Sequence, residues 1–317
     1  MRRAVVLATI ALALVQGAAG VTVTVAMWAG EGASENCVER SLEAIDYWNQ
    51  SPDGARFFIN VIPYYSSADW RYVLETGRDP LTGQRIDVIY VPGGFHPEWH
   101  WDFDWVNALY RAQIDLGLGY VGVCAGAYLH AGVTSRGGIG EDVFVDGVTA
   151  IDGNRGEGEV PVLLYENPLT PPSTWGRVFQ YAYANGPGLG PESGSVIVSD
   201  REWYECVSLD GREVKVVVRG VGQYLSTVEG WAIVLGRYYL RSGSEWVPKG
   251  RFVLFGVHPE LTDRVGAWKF LARSLIWAAG YEPLERVSTG VSSGGAGGLP
   301  VIAPIPVPRS RRTPRAS

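Results

Sequence analysis

A cysteine near the middle of the chain stands in a pattern typical of a catalytic nucleophile. Cys124 follows the apolar run of residues 120–123 and precedes a helical pattern, and Gly122 and Gly126 flank it two residues away on either side. Small flanking residues permit the sharp strand-to-helix turn that exposes a nucleophile at a strand end. The free N–H groups of the following helix then favour the thiolate form. The alternative is an inert buried cysteine packed beside two glycines.

A histidine and a glutamate follow another strand pattern, at residues 251–257. His258 is of the residue type that takes a proton from a thiol, and Glu260 can accept a hydrogen bond from the other ring nitrogen. Such a carboxylate fixes the tautomer and the orientation of the imidazole. The sequence therefore predicts Cys124, His258 and Glu260 as nucleophile, base and orienting acid. The alternative for His258 is a surface histidine at the end of a strand.

A glycine pair follows a third strand pattern, at residues 86–91. Gly93 and Gly94 can turn main-chain N–H groups toward a developing oxyanion. We predict that the N–H of Gly94 acts there together with that of Ala125, directly after the nucleophile. The alternative is a simple tight turn.

Four residues are predicted to bind substrate, namely Gly93, His96, Trp99 and Asn185. His96 and Trp99 belong to an aromatic stretch at residues 95–105, which follows the glycine pair. Its rings suit a sugar, a peptide or an aryl group, or else they cap the core. Asn185 precedes a glycine, so its alternative is a residue that forms a turn.

The order of elements predicts an α/β fold. In the first half of the chain, strand patterns alternate with helical patterns, which is typical of a parallel sheet covered by helices on both faces. The strand patterns lie at residues 21–28, 57–62, 86–91 and 120–123, and the helical ones at 35–48, 68–75, 106–116 and 125–132. After residue 137, frequent glycines and short strand patterns predict an antiparallel β insertion. These later patterns are strands at 160–165, 195–198 and 214–218, a hairpin at 231–240 and 251–257, and a closing helix at 263–279.

The sequential order of these parts resembles the class I glutamine amidotransferase-like superfamily. The parts are the glycine pair after a strand, the cysteine elbow and the tripeptide His258-Pro259-Glu260. Within the superfamily, the chain is most similar to the biotin–protein ligase N-terminal-like domains, over about residues 21–281. The resemblance implies a flavodoxin-like parallel sheet and acyl transfer through a thioester. Residues 30–34 and 184–187 resemble the same group and should lie near Cys124. No ligase motif is present, so biotin transfer is not implied.

The two ends of the chain differ in composition from the domain between them, residues 21–284. Residues 1–20 combine two arginines, an apolar core and small residues before a strand pattern, as a secretory signal peptide does. The alternative is an uncleaved membrane anchor, and either one places the domain outside the cytoplasm. Residues 285–317 are rich in Gly, Ser and Pro and end in arginines, which predicts a disordered basic tail. Both ends offer a means of association with a membrane or an acidic cell surface.

The composition argues against several classes of function. Among 317 residues, 27 are basic and 33 acidic, so the net charge of −6 argues against a nucleic-acid partner. No P-loop and no zinc-type Cys/His spacing occur, and neither a cofactor nor a metal ion is predicted. Cys37 and Cys206 either pair outside the cytoplasm or remain two isolated thiols. The oligomeric state is not predicted.

These observations predict an exported cysteine-dependent hydrolase. Its substrate would be a small molecule or a peptide with an amide, peptide or γ-glutamyl bond, cleaved through a Cys-His-Glu triad and a thioester intermediate. One alternative is a ligand-binding protein that keeps the scaffold without turnover. A second is a glutaminase subunit of an amidotransferase, which a cytoplasmic location would favour.

Overall fold

The computed structural model describes residues 20–95, 103–131, 147–151, 156–192, 194–226 and 228–284. The signal peptide predicted at residues 1–20 lies outside this part except for Gly20, and the basic tail at 285–317 lies wholly outside it. So do His96 and Trp99. None of the helices in the described ranges is long and apolar enough to cross a membrane.

The described residues form thirteen strands, five α-helices and one short 3-10 helix at Pro172–Thr174. The strands are β1 (Val21–Trp28), β2 (Phe57–Tyr64), β3 (Val88–Val91), β4 (Gly119–Val123), β5 (Val148–Ile151), β6 (Glu157–Leu164), β7 (Val178–Ala184), β8 (Gly188–Pro191), β9 (Val196–Ile197), β10 (Glu202–Leu209), β11 (Arg212–Tyr224), β12 (Trp231–Ser242) and β13 (Glu245–Phe255). The helices are α1 (Glu35–Gln50), α2 (Ser67–Thr76), α3 (Phe103–Ile114), α4 (Ala125–Ala131) and α5 (Val265–Ala278).

All thirteen strands belong to one mixed sheet. Its main path runs β2-β1-β3-β4-β13-β12-β11-β10-β9. The first five strands of that path are parallel neighbours, and from β13 onward each neighbouring pair is antiparallel. Strands β5 to β8 extend the antiparallel part off the main path. The predicted α/β fold, a parallel sheet flanked by helices with an antiparallel insertion in the second half, is confirmed.

The helices cover the parallel strands on two sides. Alternate residues of a strand point to opposite faces, so Val25 and Met27 join one buried cluster while Ala26 and Trp28 join the other. Helices α1 and α5 supply the first cluster, and α2, α3 and α4 supply the second. This two-sided burial fixes the ends of the parallel strands, where the candidate catalytic residues lie.

The sequence patterns located the parallel half better than the insertion. The second half contains four strands that the patterns did not predict, β5, β7, β8 and β10. Strand β11 is also much longer than the predicted run at residues 214–218, and its pairing with β12 shifts register at Gly220 and Gly222. Glycines in β8 and β11 interrupt the alternation of apolar and polar side chains from which a strand is predicted.

A fully buried histidine, His130, lies in the last turn of helix α4. Nε2 of His130 lies 3.1 Å from Oε1 of Gln113 and 3.4 Å from the hydroxyl of Tyr238. The ring packs on Phe252, with 4.4 Å between the ring centroids. Burial lowers the pKa of His130 to about 3, so the folded protein holds this imidazole neutral.

We expect this histidine to destabilise the fold in acid. Below pH 6.5 an unfolded histidine binds a proton that the folded one does not bind until pH is near 3, so stability falls across that interval. The contribution is at most about 1.4 kcal/mol per pH unit. Urea unfolding of the wild type and of His130→Gln over this range should give a flatter pH profile for the variant. Parallel profiles would contradict the assignment.

Candidate active site

Cys124 lies on a sharp turn between β4 and α4. Its φ of +51° is in the left-handed region, which non-glycine residues seldom adopt. The main-chain N–H of Cys124 donates to the carbonyl of Phe255 at 2.7 Å, and this bond ties the turn to the neighbouring strand. A Cβ at Gly126 would overlap the carbonyl oxygen of Val91, which explains the glycine two residues after the cysteine. The chain therefore has the local geometry of a nucleophile elbow.

His258 reaches the same edge of the sheet because β13 runs parallel to β4. Its main-chain N–H donates to the carbonyl of Ala182 at 2.8 Å, and its own carbonyl accepts from the hydroxyl of Thr262 at 2.7 Å. The imidazole packs against Gly93, where a Cβ would overlap the ring carbon Cε1. The loop after β13 is thus held from both sides, by β7 of the insertion and by the glycine pair.

A buried hydrogen bond joins His258 to Glu260. Nδ1 of the imidazole lies 2.8 Å from Oε1 of the carboxylate, and the two residues are 2% and 0% exposed. Burial by itself lowers the pKa of His258. The charge of Glu260, its hydrogen bond to Nδ1 and the nearby thiols of Cys124 and Cys37 outweigh that effect and raise the pKa well above its usual value. The imidazole is therefore a strong base whose protonated form is stabilised.

Cys124 lies close enough to His258 to contribute to that rise in pKa. Its thiol, however, is directed at the carbonyl oxygen of Ala184, with Sγ 3.3 Å from the oxygen. Nε2 of His258 has no hydrogen-bond partner within the described part of the chain. Because Glu260 takes up Nδ1, Nε2 is the ring nitrogen left to accept the thiol proton. The structure therefore brings Cys124, His258 and Glu260 together, but the thiol is not directed at Nε2 of His258.

Two main-chain N–H groups are available for an oxyanion. Neither Gly94 nor Ala125 donates its N–H to another residue in the described ranges. Gly94 forms a bridge with Ala33, in which the N–H of Phe95 donates to Gly32. A Cβ at Gly94 would overlap the carbonyl oxygen of Gly32. The loop after β1, which also resembled the superfamily, therefore fixes the backbone of the predicted oxyanion loop.

Of the predicted substrate-binding residues, two can be located. Gly93 lies beneath the imidazole of His258 and is buried. Asn185 has a φ of +54°, and its Oδ1 accepts from the N–H of Gly156 at 2.8 Å. That bond joins the start of β6 to the end of β7, whereas the positive φ is the feature that corresponds to the alternative role of Asn185 as a turn residue. Its own carbonyl accepts from the hydroxyl of Tyr128 at 3.3 Å, so the residue still borders the elbow helix.

Cys37 is a site residue that the motifs did not identify. It lies in the first turn of α1, is 3% exposed, and has its Sγ 3.8 Å from Nδ1 of His258. Cys206 is on the exposed side of β10, and all three cysteines are free, so the possible Cys37–Cys206 disulfide is not formed. The only sequence cue was the position of Cys37 just after a glycine-rich loop that follows a strand.

A cavity of about 550 Å³ opens at the other edge of the parallel strands. It is lined by Gly20, Val21, Ala55, Arg56, Phe57, Tyr281 and Glu282. Five of these residues lie at the amino ends of β1 and β2 and the other two follow α5, whereas Cys124 follows the carboxyl end of β4. The lining contains neither a thiol nor a histidine, so the catalytic candidates remain those around Cys124.

No family model matches this chain, and no curated protein matches it. Several solved structures are similar in fold. A protein from Bacteroides uniformis described as ThuA-like is 13% identical with a TM-score of 0.46, over 83% of this chain and 94% of its own. A glutamine amidotransferase from Thermotoga maritima is 12% identical with a TM-score of 0.41, over 82% of this chain and 99% of its own.

A glutamine amidotransferase from Methylobacillus flagellatus is also similar in fold. It is 13% identical with a TM-score of 0.37, over 77% of this chain and 72% of its own. The narrower resemblance to biotin–protein ligase N-terminal-like domains stays a prediction.

Proposed function

We propose that the chain is a cysteine-dependent hydrolase of an amide, peptide or γ-glutamyl bond. One observation carries the proposal: a cysteine on a strained elbow lies beside a buried imidazole that is hydrogen-bonded to a buried carboxylate at 2.8 Å. The raised pKa of His258 supports a role as proton acceptor, because the imidazolium that forms is stabilised by Glu260. A purely structural cysteine would need no such neighbour.

Acylation would begin with proton transfer from Cys124 to Nε2 of His258. The thiolate sulfur then attacks the carbonyl carbon of the substrate, and the negative charge passes to the carbonyl oxygen. The N–H groups of Gly94 and Ala125 would bind that oxygen. Collapse of the tetrahedral intermediate breaks the carbon–nitrogen bond. The leaving amine takes the proton from His258, and a thioester remains on the cysteine.

Deacylation would use the same groups in reverse order. Neutral His258 takes a proton from a water molecule, and the resulting hydroxide attacks the thioester carbon. The carbon–sulfur bond then breaks, so the products are a carboxylic acid and the thiolate of Cys124 paired with the imidazolium. Glu260 keeps the ring in one tautomer throughout, because it occupies Nδ1.

We propose that the enzyme acts outside the cytoplasm. The support is the pattern of residues 1–20, with a basic start, an apolar core and small residues directly before β1. Mass spectrometry of the protein from a culture supernatant and from a membrane fraction would separate cleaved export from anchoring. Recovery of the full-length chain from the cytoplasm would contradict both.

Trapping of the thioester tests the catalytic proposal directly. The protein is mixed with glutamine, γ-glutamyl anilides and peptide amides, quenched in acid and digested, and the Cys124 peptide is weighed by mass spectrometry. An acyl adduct on that peptide, removed by hydroxylamine, is the expected result. Ammonia release from glutamine alone would instead favour the glutaminase alternative.

A ligand-binding protein without turnover is the second candidate. The observation in its favour is that Cys124 is only 7% exposed and directs its thiol at the carbonyl of Ala184 rather than at His258. This candidate predicts that compounds of the panel raise the melting temperature while no acyl adduct forms. The same set of samples therefore distinguishes the two functions.

A further inference from the structure

We propose that Cys37, His258 and Glu260 form a binding site for a thiophilic divalent cation such as Zn²⁺, and that the bound ion inactivates the hydrolase. The inactivation rests on the proposed function, whereas the ion binding does not. The three residues are buried, and their candidate donor atoms all lie within 4.8 Å of one another. The sequence predicted no metal ion, because Cys37 lies 221 positions before His258 and the three residues show no metal-site spacing.

The donors match the chemistry of zinc. A thiolate sulfur, an imidazole nitrogen and a carboxylate oxygen are the three donor types that Zn²⁺ binds, at about 2.3, 2.0 and 2.1 Å. Tetrahedral coordination at those lengths separates sulfur from nitrogen by about 3.5 Å. Sγ of Cys37 and Nδ1 of His258 are 3.8 Å apart. The sulfur and the nitrogen are therefore already close to the separation that the ion requires.

The second pair of donors needs a small movement. Nδ1 of His258 and Oε1 of Glu260 are 2.8 Å apart, whereas tetrahedral zinc separates nitrogen from oxygen by about 3.4 Å. Their hydrogen bond must therefore lengthen by roughly half an ångström when the ion replaces the proton between them. The fourth position would be left for water, because no fourth His, Cys, Asp or Glu joins the cluster in the described residues.

An independent observation points to a missing ligand at this place. Oε2 of Glu260 is buried and has no hydrogen-bond partner among the described residues, although the carboxylate is completely inaccessible to solvent. Buried carboxylate oxygens are nearly always paired, because burial without a partner is costly. A cation bound through both carboxylate oxygens of Glu260 and through the thiolate of Cys37 would satisfy Oε2 as well as Oε1 and neutralise both negative groups.

Occupancy would remove the base from the catalytic site. A metal ion on Nδ1 occupies the atom that carries the proton shared with Glu260, so His258 can no longer become an imidazolium ion. Cys124 then loses the group that accepts its proton, and the carboxylate is drawn to the ion. The site would act as a metal-sensitive switch whose ligands are two triad residues and one further cysteine.

Binding is tested with the full chain after removal of metal ions by a chelator. Titration with Co²⁺ should produce the near-ultraviolet thiolate-to-cobalt charge-transfer absorption, and added Zn²⁺ should abolish it by displacement. Cys37→Ser should weaken Zn²⁺ binding in calorimetry by at least about 100-fold, since it removes a direct ligand. Cys206→Ser is the matched control, because that residue is exposed and outside the cluster, and its affinity should equal the wild-type value.

The third cysteine decides between two sites. Cys124→Ser should retain Co²⁺ absorption and Zn²⁺ affinity if the ion is bound by Cys37. Loss of both signals in Cys124→Ser, with Cys37→Ser unaffected, would overturn the proposal and place the ion on the nucleophile. Equal affinities in all three variants would also overturn it. Neither result depends on turnover, so failure of the ion site is distinguishable from failure of the hydrolase assignment.

Discussion

Replacement of Cys124 by alanine is expected to lower turnover of any cleaved amide by at least about 10⁴-fold. The reason is that the covalent route is lost completely, since alanine offers no atom that can form the thioester. The measurement is the rate of free-acid release from whichever of glutamine, the γ-glutamyl anilides and the peptide amides is cleaved fastest. What remains would be the modest effect of an oxyanion site and a binding site without a nucleophile.

The matched control for that variant is Cys206→Ser. Cys206 lies on β10 and is exposed as a residue, but partial burial of its thiol is the main factor that raises its pKa, so it is a poor nucleophile at neutral pH. Turnover should equal that of the wild type. A Cys124→Ala protein that melts like the wild type and keeps its activity would refute the triad, and a loss of activity in Cys206→Ser would redirect attention to β10.

The parallel half of the fold was predictable because its strands are buried on both faces. Such strands appear in the sequence as short, largely apolar runs, and β3 and β4 have that form, whereas β1 alternates valine with threonine over its first half. The carboxyl ends of parallel strands meet at one edge, so the residues after them could be placed together without knowledge of distances. For that reason Cys124 and His258, which are far apart in the chain, could be assigned to one site.

The sequence resemblance predicted that residues 184–187 of the insertion lie near Cys124, but it did not predict which groups of the insertion contact the site. Strand β7 supplies the carbonyl of Ala184 that faces the thiol and the carbonyl of Ala182 that accepts from His258. Both are main-chain groups, and any side chain would present them equally, so the residue types carry no trace of the role. Cys37 was missed for a different reason, because which face of α1 is turned toward His258 depends on how the helix packs.

Replacement of His258 by glutamine is expected to slow alkylation of Cys124 by iodoacetamide about 100-fold at pH 6.5. In the wild type, His258 accepts the thiol proton and its imidazolium, whose pKa is raised, stabilises the thiolate next to it. An ordinary cysteine without a base is only about 1% ionised at that pH, and the thiolate is the form that reacts. The rate is measured by mass spectrometry of the Cys124 peptide, with the Cys206 peptide in the same digest as an internal reference that lies away from His258.

The companion variant Glu260→Gln distinguishes the effect of the negative charge of Glu260 on His258 from the effect of its hydrogen bond to Nδ1. Glutamine can still hold Nδ1, but it lacks the charge that raises the pKa of His258, so alkylation of Cys124 should slow by a smaller factor and recover as the pH rises. The rate for Cys206 should stay constant in every protein, and a rise in it would indicate unfolding. If both variants alkylate Cys124 at the wild-type rate, His258 does not activate the thiol. The site would then be better described as a ligand-binding site built on a catalytic scaffold.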